Sequence, residues 1–291
     1  MPNAPLLAIV GETASGKSDL GLTLAERLNG EIICADSWTV YKGFDIGSAK
    51  PSAEERARVR HHLLDVADPR EGFSAVLFQR LAKQAISDIA GRGKLPIIVG
   101  GTGLYVDSVL YDYSFLPPSD PSYRKELEAL TVPELLDRAV TMGLDISMID
   151  TRNKRRIIRL IENAGALPSR KELRANTMVC GLRLPREVLR RRVEARVEAM
   201  VAAGLEQEVT ALAQTYGWDV EPMKGIGYRE WRPYFEGVQT LAEVRARIVK
   251  STMDLAKRQR TWFKRNNSIH WLDYPCETTE LVDIVTTVLN K

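Results

Sequence analysis

The feature that most constrains the fold of this chain is a phosphate-binding loop. Residues 11–18 read Gly-Glu-Thr-Ala-Ser-Gly-Lys-Ser and match the pattern G-x-x-x-x-G-K-[ST] throughout. The glycines let consecutive backbone N–H groups point into one cup, and the following helix directs its positive end to the same place. An apolar run at 6–10 precedes the loop, and a helix-patterned segment at 19–28 follows it. This order predicts a P-loop NTPase-like α/β fold that binds a diphosphate or a triphosphate.

Strand-like and helix-like segments alternate through the first hundred residues. Apolar runs at 6–10, 31–35 and 95–99 predict strands, and an amphipathic helix is predicted at about 73–90. Such alternation indicates a parallel sheet flanked by helices. The phosphate loop, the pair Asp36-Ser37 and the segment Gly100-Gly101-Thr102-Gly103 each follow one of these strands. Because parallel strands end at the same edge, these segments are expected to meet in one crevice.

An all-helical insertion interrupts the α/β pattern. Residues 117–121 read Pro-Pro-Ser-Asp-Pro, as in a linker, and the sequence is helical in pattern from there to about 176. The predicted boundaries are therefore a P-loop catalytic core of residues 1–118 and 177–291 and a helical insertion domain of residues 119–176. Beyond the insertion we expect a return strand at 178–184, a short strand at 269–272, and helices at 186–201, 205–215, 241–265 and the end of the chain.

The overall composition disfavours several classes of protein. With 44% hydrophobic and 27% charged residues, the chain resembles an ordinary soluble protein. Cys34, Cys180 and Cys276 form no C-x-x-C pair, which argues against a zinc site and favours a reducing compartment. No apolar segment has the length of a signal h-region or a membrane span. We therefore expect a cytoplasmic protein that does not associate with membranes.

The basic residues are clustered although the formal net charge is only +3. Each cluster alone is consistent with a solvated helix face, but three of them in the second half of the chain favour a polyanionic partner, most naturally a nucleic acid. The clusters comprise Arg152, Lys154, Arg155, Arg156 and Arg159; Arg183, Arg186, Arg190, Arg191, Arg192 and Arg196; and Lys257, Arg258, Arg260, Lys264 and Arg265.

A phosphate-binding loop usually indicates a kinase or a nucleotide hydrolase, but the residues that follow the predicted strands make this interpretation weaker. Such enzymes hold Mg²⁺ with a second carboxylate at the end of an apolar strand. The run at 95–99 is followed by Gly-Gly-Thr, and the acid that follows a predicted strand is Asp36. A kinase that uses Asp36 as its base is still compatible with this pattern.

Five motifs, in order and with the right spacing, closely resemble those of the tRNA dimethylallyltransferases. They lie at residues 11–18, 36–51, 99–105, 224–230 and 255–262, so they extend over nearly the whole chain. Together they are far more specific than the phosphate loop alone. The resemblance implies transfer of a dimethylallyl group from dimethylallyl diphosphate to N6 of adenosine 37 in tRNAs that read UNN codons, which gives N6-isopentenyladenosine.

The same resemblance implies Mg²⁺ as cofactor and the tRNA anticodon stem-loop as acceptor. The relatives and the lack of an obvious association motif suggest a monomer, and no protein partner is implied. A rival hypothesis is an adenylate isopentenyltransferase that acts on a free nucleotide, but a mononucleotide does not need so much basic surface. A second rival is the P-loop kinase, and a third is a non-enzymatic RNA-binding protein with a vestigial phosphate site. The third would leave Lys17, Ser18, Asp36 and Thr102 unexplained as a set.

The resemblance also implies roles for individual residues. Asp36 is the base that orients the adenine amine and accepts its proton. Thr102 would hydrogen-bond the bridging oxygen or the departing phosphate, and Lys17 would stabilise the leaving charge, with Ser18 as the Mg²⁺ ligand. Contacts with the diphosphate are predicted for Gly11, Glu12, Thr13, Ala14, Ser15, Gly16, Lys17, Ser18 and Arg229.

Contacts with tRNA are predicted in both the core and the insertion. An adenine must leave its stack to react, and Asp36 and its neighbours are expected to line the pocket that receives it. Position 39 is Thr in this chain, where many relatives have Gln. The segment at 153–157 resembles a family segment that grips the anticodon stem-loop, mostly through phosphates. The predicted tRNA-binding residues are Asp36, Ser37, Trp38, Thr39, Thr102, Arg124, Asn153, Lys154, Arg155, Arg156, Ile157 and Arg258.

Overall fold

Parallel strands form one sheet at the centre of the larger part of the chain. The computed structural model describes residues 4–117, 119–273 and 278–289, without the side chains of 278–280 and 288–289. The strands in these residues are β1 (Leu6–Gly11), β2 (Gly30–Ala35), β3 (His61–His62), β4 (Leu95–Gly100), β5 (Thr177–Arg183) and β6 (Ile269–Asp273). Their order across the sheet is β3-β2-β4-β1-β5-β6, and every neighbouring pair is parallel. The predicted positions of Pro118 and Cys276 lie outside the described residues.

The central strand explains why the phosphate loop could be located from the sequence. Every residue of β1 is buried, so both faces of the sheet are covered there. Leu7 is paired with Ile97 of β4 on one side and with Met178 of β5 on the other. A parallel strand that is covered on both faces needs a continuous apolar run rather than an alternating one. The α/β fold predicted from such runs is confirmed.

The described residues contain the following α-helices, in chain order: α1 (Lys17–Arg27), α2 (Ala53–Arg58), α3 (Ala75–Gly91), α4 (Gly103–Leu110), α5 (Pro121–Ala129), α6 (Val132–Thr141), α7 (Lys154–Glu162), α8 (Arg186–Ala202), α9 (Leu205–Tyr216), α10 (Arg232–Phe235), α11 (Leu241–Phe263) and α12 (Thr278–Leu289). Short 3₁₀ turns lie at Glu221–Lys224 and Arg229–Trp231. None of the helices in the described ranges is long and apolar enough to cross a membrane.

The chain divides into two compact units. One is formed by Met1–Tyr111 together with Leu173–Lys291, and the other is Asp112–Glu172. The second unit therefore begins and ends a few residues before the predicted limits of 119 and 176. Ser114 and Ser169 form an isolated antiparallel bridge, which explains why the segment before the proline-rich linker belongs to this unit. In the larger unit, the backbone N–H of Arg174 donates to the carbonyl of Leu110 at 2.8 Å.

The smaller unit is built from α5, α6 and α7, as the helical pattern predicts. Each helix begins at a capping residue: Asp120, Thr131 and Asn153 accept backbone N–H groups of the following turn. The apolar faces pack into a core of their own, formed by Leu127, Leu135, Ala139, Ile157, Ile158 and Ile161. Strong amphipathicity and good caps thus allow three short helices to bury one shared face.

The larger unit brings three loops to the carboxyl edge of the sheet. β1 lies between β4 and β5, and β4 lies between β1 and β2. The connection after β1 leads towards the edge that contains β2, and the connection after β4 leads towards the opposite edge, which contains β5. The direction of strand addition therefore reverses between β1 and β4. Open α/β sheets bind their ligands at such a reversal. The loops that follow β1, β2 and β4 are those expected to share a crevice.

Candidate active site

The phosphate loop joins β1 to α1 through residues in the left-handed backbone region. Gly16 is the N-cap of α1 with φ 93°, and Ala14 has φ 60°. Glycine accepts this conformation without strain, and a Cβ at Gly16 would lie 3.2 Å from Nη1 of Arg192. The first N–H groups of α1, including those of Lys17 and Ser18, have no acceptor within the helix and point out of its end. The loop therefore presents donors and a positive helix end to one space.

A cavity of about 330 Å³ opens in front of the loop. Burial and repulsion from Arg196 lower the pKa of the Lys17 ammonium to about 8, although Asp36 and Glu12 partly counteract this. The hydroxyl of Ser15 is buried and has no hydrogen-bond partner among the described residues. The cavity is lined by Ala14, Gly16, Lys17, Ser18, Asp19, Ala49, Glu55, Arg192 and Arg196. A polyanion would relieve the repulsion between these cations.

Helix α8 contributes two cations that were not predicted individually as site residues. Arg192 donates from Nη1 to the carbonyl of Ser15 at 3.1 Å. Arg196 lies one turn further along the same face, and burial lowers the pKa of its guanidinium. The sequence offered a signal, since both belong to the second basic cluster, but six arginines at 183–196 do not reveal which of them face the loop.

Asp36 and Thr102 come together as predicted, through the backbone of the segment between β2 and α2. One carboxylate oxygen of Asp36 accepts the N–H of Trp38 at 2.8 Å. The hydroxyl of Thr102 accepts the N–H of Ser37 at 3.1 Å, and the N–H of Thr102 donates to the carbonyl of Ala35 at 3.2 Å. Thr102 occupies the N-cap position of α4, yet its side chain makes no capping hydrogen bond. The Thr102 hydroxyl therefore faces the loop that carries Asp36.

A second cavity, of about 70 Å³, adjoins Asp36. Arg196 lines both cavities, so the two are neighbours and together form the crevice at the strand ends, and this second cavity also includes Thr13 of the phosphate loop. Most of its wall is apolar, because α8, α11 and the segment 226–227 meet there. The lining residues are Thr13, Asp36, Trp38, Gly47, Ser48, Val193, Arg196, Val197, Met200, Ile226, Gly227, Ile248, Thr252 and Leu255.

One carboxylate holds the loop that forms the far wall. Glu208 of α9 accepts the backbone N–H groups of Asp45, Ile46 and Gly47 at 3.1, 2.7 and 3.0 Å. It also accepts the hydroxyl of Tyr228 at 2.9 Å, and burial raises the pKa of that phenol. A Cβ at Gly47 would lie 2.5 Å from the Tyr228 ring, so only glycine fits against it.

Known proteins that are similar to this chain are named as prenyl transferases. The IPP transferase family model matches residues 39–266. Relatives named tRNA dimethylallyltransferase include one from Roseiflexus sp. (strain RS-1), 42% identical over 99% of this chain and 98% of its own length, and one from Bacillus subtilis (strain 168), 39% identical over 92% and 90%. The chain belongs to the IPP transferase family. The predicted resemblance to the tRNA dimethylallyltransferases is thereby confirmed.

Solved structures of the IPP transferase family share the fold. The full-length tRNA isopentenylpyrophosphate transferase from Bacillus halodurans superposes with a TM-score of 0.78 at 37% identity, covering 99% of this chain and 97% of that one. A eukaryotic dimethylallyltransferase, described as acting on tRNA, superposes with a TM-score of 0.78 at 26% identity and covers 93% of this chain and 74% of that one.

Within the IPP transferase core, two residues predicted to line the acceptor pocket are partly or wholly packed. Trp38 is half-buried and lies against Gly225, where a Cβ would come within 3.2 Å of the indole ring. Thr39 is 6% exposed, and its hydroxyl has no hydrogen-bond partner among the described residues. The structure therefore places Thr39 beneath the loop surface. Its contact with adenine stays a prediction.

Two arginines predicted to bind ligands lie outside both cavities. Arg229 donates from Nε to the buried carboxylate of Glu230 at 3.1 Å and from Nη2 to Ser251 at 3.5 Å. Neither Arg229 nor Arg258 lines the crevice in the described residues, and both are exposed. Their contacts with diphosphate and tRNA also stay predictions.

The insertion unit separates its predicted RNA-binding residues into two groups. Arg155 and Arg156 are exposed at the start of α7, whose N-cap is Asn153. Lys154 is half-buried and donates to the carbonyl of Glu128 at 2.8 Å. Ile157, in contrast, is fully buried in the core of the unit, which corrects its prediction as an RNA contact. The apolar face of α7 requires an inward isoleucine there.

Arg124 has a structural partner in the same unit. Its Nη1 donates to both carboxylate oxygens of Glu162, each at 3.1 Å. The side chain of Glu162 is fully buried and also accepts Arg159 at 3.2 Å and the hydroxyl of Ser119 at 2.6 Å. A buried carboxylate needs such partners, so Arg124 stabilises the unit whether or not it also meets RNA.

Proposed function

We propose that this protein transfers the dimethylallyl group of dimethylallyl diphosphate to N6 of adenosine 37 in tRNAs that read UNN codons. Prenylation of tRNA is the function of the relatives that match this chain over nearly its full length. Neither a free-nucleotide prenyl transferase nor a kinase is favoured by these relatives. The structural observation that carries the proposal is that Asp36 lines the same cavity as Thr13 of the phosphate loop, and that Arg196 lines both this cavity and the phosphate-loop cavity.

The crevice offers what departure of an allylic diphosphate requires. The bond between C1 of the dimethylallyl group and its oxygen breaks, and the diphosphate takes the electron pair. Lys17 and Arg196, with the N–H groups at the start of α1, would stabilise the charge that develops on that leaving group. These cations are already in place, so they need no reorientation during the reaction, and they repel one another in the absence of a ligand. The attraction of each cation to a bound diphosphate would outweigh that repulsion.

The acceptor side offers a base and a hydroxyl. C1 forms a bond to N6 of adenine, and Asp36 would take the N6 proton as the amine becomes a secondary amine. One Asp36 oxygen accepts the N–H of Trp38, and this contact fixes the plane of the carboxylate. Thr102, held by Ser37, would hydrogen-bond the diphosphate oxygen that leaves C1. The apolar wall formed by residues such as Val193 and Met200 would exclude water from the allylic cation.

We further propose that Mg²⁺ accompanies the diphosphate. Mg²⁺ in phosphate sites uses one or two protein oxygens and takes its other ligands from phosphate and water. The hydroxyl of Ser18, an exposed residue that lines the phosphate-loop cavity, fits such a set. When bound, the ion would neutralise charge on the diphosphate.

The anticodon stem-loop is the acceptor that best accounts for the exposed basic start of α7. Arg155 and Arg156 would contact phosphates and so position the RNA without reading its sequence. A free nucleotide would give this surface no role.

Mass spectrometry of one reaction tests the proposal directly. The protein, Mg²⁺ and dimethylallyl diphosphate are incubated with an anticodon stem-loop that carries three consecutive adenines, and with AMP in a parallel reaction. A gain of one C₅H₈ unit on the adenine 3′ of the anticodon is expected. A gain on AMP alone would identify a nucleotide prenyl transferase, and no gain on either acceptor would contradict prenyl transfer.

A further inference from the structure

One buried side chain connects the phosphate loop to the turn that carries Thr102. Gln259 of α11 is 9% exposed. Its Oε1 accepts the backbone N–H of Thr13 at 2.7 Å, and its Nε2 donates to the carbonyl of Gly101 at 3.0 Å. These two partners belong to the loops after β1 and β4, whose strands are adjacent in the sheet. Gln259 thus spans the two loops that meet at the crevice.

The chemistry of both contacts requires a neutral amide at this position. A backbone N–H can only donate and a carbonyl can only accept, so the orientation of the Gln259 amide is fixed by its partners. A Cβ on Gly101 would come within 2.3 Å of Nε2, so only glycine allows this approach. An ionised carboxylate at 259 would keep the contact with Thr13 but would repel the carbonyl of Gly101.

The neighbours of Gln259 on α11 bind the phosphate loop and helix α4. Arg260 donates to both carboxylate oxygens of Glu12 at 2.9 and 2.7 Å. Trp262 donates from Nε1 to Asp107 of α4 at 2.8 Å. Three of the four residues 259–262 of α11 therefore hydrogen-bond to the phosphate loop, to Gly101 or to α4.

We propose that Gln259 is a positioning residue that fixes the diphosphate cradle relative to the hydroxyl of Thr102 and the carboxylate of Asp36. This inference rests on the proposed prenyl transfer. Its reason is geometric: C1 must face both a leaving oxygen and an incoming nitrogen, and small misalignments of such groups reduce rates steeply. Gln259 contacts neither substrate group, and acts through Thr13 on one side and through Gly101, the residue before Thr102, on the other.

The contact with Thr13 also refines the predicted cradle. The Thr13 N–H is engaged by Gln259, and the N–H of Ser15 donates to the carbonyl of Glu12 at 3.2 Å. These two backbone N–H groups therefore have partners within the protein. The predicted contact of Thr13 with the diphosphate stays a prediction.

The decisive experiment compares Gln259→Glu with the wild type as pH changes. A protonated glutamic acid can accept from Thr13 and donate to Gly101, as the amide does, whereas the ionised form cannot. Charged groups on the elements packed around Gln259 include Glu12 and Lys17 at the phosphate loop, Arg260 on α11 and Asp107 on α4. The two acids each have a partner, Arg260 and Trp262 respectively, and the same partners are present in the wild type.

The expected result is a pH-dependent ratio of single-turnover rates. At pH 8, Gln259→Glu should transfer about 10²-fold more slowly than the wild type, with KM for dimethylallyl diphosphate and Kd for the stem-loop within threefold. At pH 5.5 the variant-to-wild-type ratio should rise at least tenfold. A ratio that does not change with pH, or a loss confined to KM, would overturn the inference while leaving prenyl transfer by the wild type intact.

Two further variants keep the test interpretable. Gln259→Met has a similar volume and no charge, so it should lose rate equally at both pH values; recovery at pH 5.5 would contradict the inference. Thr261→Val, on the same helix, removes only a local bond from the Thr261 hydroxyl to the carbonyl of Lys257 and should stay within twofold of the wild type.

Hydrogen exchange measures whether Gln259 holds the phosphate loop and the loop after β4, and it does so independently of activity. If Gln259 fixes the two loops, Gln259→Met should accelerate amide exchange both at 11–18 and at 100–106. Acceleration confined to Thr13 would show a local contact only and would also overturn the proposal. This measurement stands even if the wild type proves to use another donor.

Discussion

At the amino end of β2 the buried carboxylate of Glu31 meets three basic groups, whereas at the carboxyl end of β1 the ammonium of Lys17 faces a second cation, Arg196. Glu31 is 2% exposed and is bound by Arg92 through both carboxylate oxygens, by Lys94 at 3.0 Å and by His62 at 2.8 Å. Hydrogen bonds from Arg92 hold the pKa of Glu31 far below its usual value. At Lys17, in contrast, burial and the charge of Arg196 lower the pKa, so the charged form of the side chain is disfavoured.

The difference shows how one set of residue types produces either stability or function. Around Glu31 the protein supplies every partner that the charge needs, so the cluster can stabilise the fold without a ligand. Lys17 donates to the carbonyl of Glu12 at 3.3 Å, but burial and Arg196 act against its charge, so the fold carries a cost that binding of a polyanion would offset. This comparison predicts that removal of the Glu31 charge destabilises the fold, whereas removal of the Lys17 charge stabilises it.

The largest effect is expected from Asp36→Asn, which keeps the shape of the side chain but removes the proton acceptor. Single-turnover transfer should fall by about 10²- to 10⁴-fold. Binding of the stem-loop should stay within a few fold, because the amide can still accept the N–H of Trp38. Rapid-quench assays and filter binding would measure the two quantities. Equal loss of both would contradict the role of Asp36 as base.

Glu31→Gln should do the reverse and reduce stability without touching chemistry. Removing the anion leaves three basic groups around an uncharged amide, which is expected to cost about 3–5 kcal/mol in the free energy of unfolding. Urea unfolding would measure this, and the turnover of the folded fraction should be unchanged. Asp88→Asn is the matched control, because Asp88 meets Arg92 at the surface and should cost less than about 1 kcal/mol. Equal losses of stability in the two variants would contradict the role of the buried Glu31 cluster in stabilising the fold.

Lys17→Met should slow transfer and yet stabilise the protein. The folded pKa of about 8 lies below the unfolded value of 10.5, so the folded state binds this proton less readily. The charged lysine therefore destabilises the fold at pH 7 by about 1–3 kcal/mol, and the penalty fades as pH rises from 8 to 10.5. Urea unfolding at pH 7 and pH 10 should show the gain shrinking. A destabilised variant at pH 7 would contradict repulsion at the loop.

The affinity for the donor should depend on the protonation of Lys17. Below pH 8 the ammonium is present, and above pH 8 the free enzyme loses it. KM for dimethylallyl diphosphate should therefore rise about tenfold from pH 7 to pH 9. Lys17→Arg keeps its charge over this range, so its KM, whatever its starting value, should change little. A parallel rise in the arginine variant would assign the pH dependence to another group.

The smallest effect is expected at the insertion, where Arg156→Glu reverses one exposed charge. The salt dependence of stem-loop binding should lose about one unit of slope for each phosphate contact removed. Arg138→Glu is the control in the same unit, because Arg138 lies on α6 and pairs with Glu126 at 2.7 Å. Equal changes in slope for the two variants would count against α7 as the RNA-binding face.

The fold and the candidate site could be predicted from the sequence wherever a residue's role depends on residues close to it in the chain. Central strands such as β1 read as apolar runs because both faces are covered, and the phosphate loop is a local motif. The two-residue strand β3 gave no signal, since His61 and His62 are too few for any periodicity and their strand is defined by its register with β2.

Roles that depend on distant partners could not be predicted. Glu208 acts on backbone N–H groups more than 160 residues away, and Gln259 reaches Thr13 across 246 positions. Among the arginines of α8, the choice of Arg192 and Arg196 depends on which face of the helix packs against the loop. The burial of Ile157 similarly depends on how α7 meets its neighbours.

The hydrogen bond between Arg174 and Leu110 has a consequence for protein engineering. The two ends of the core that flank the smaller unit already meet there, at 2.8 Å. A short turn could close the core in place of residues 112–172, and a unit from another family member could be spliced in at the same junction. The cores and smaller units of different family members could then be recombined at this one junction.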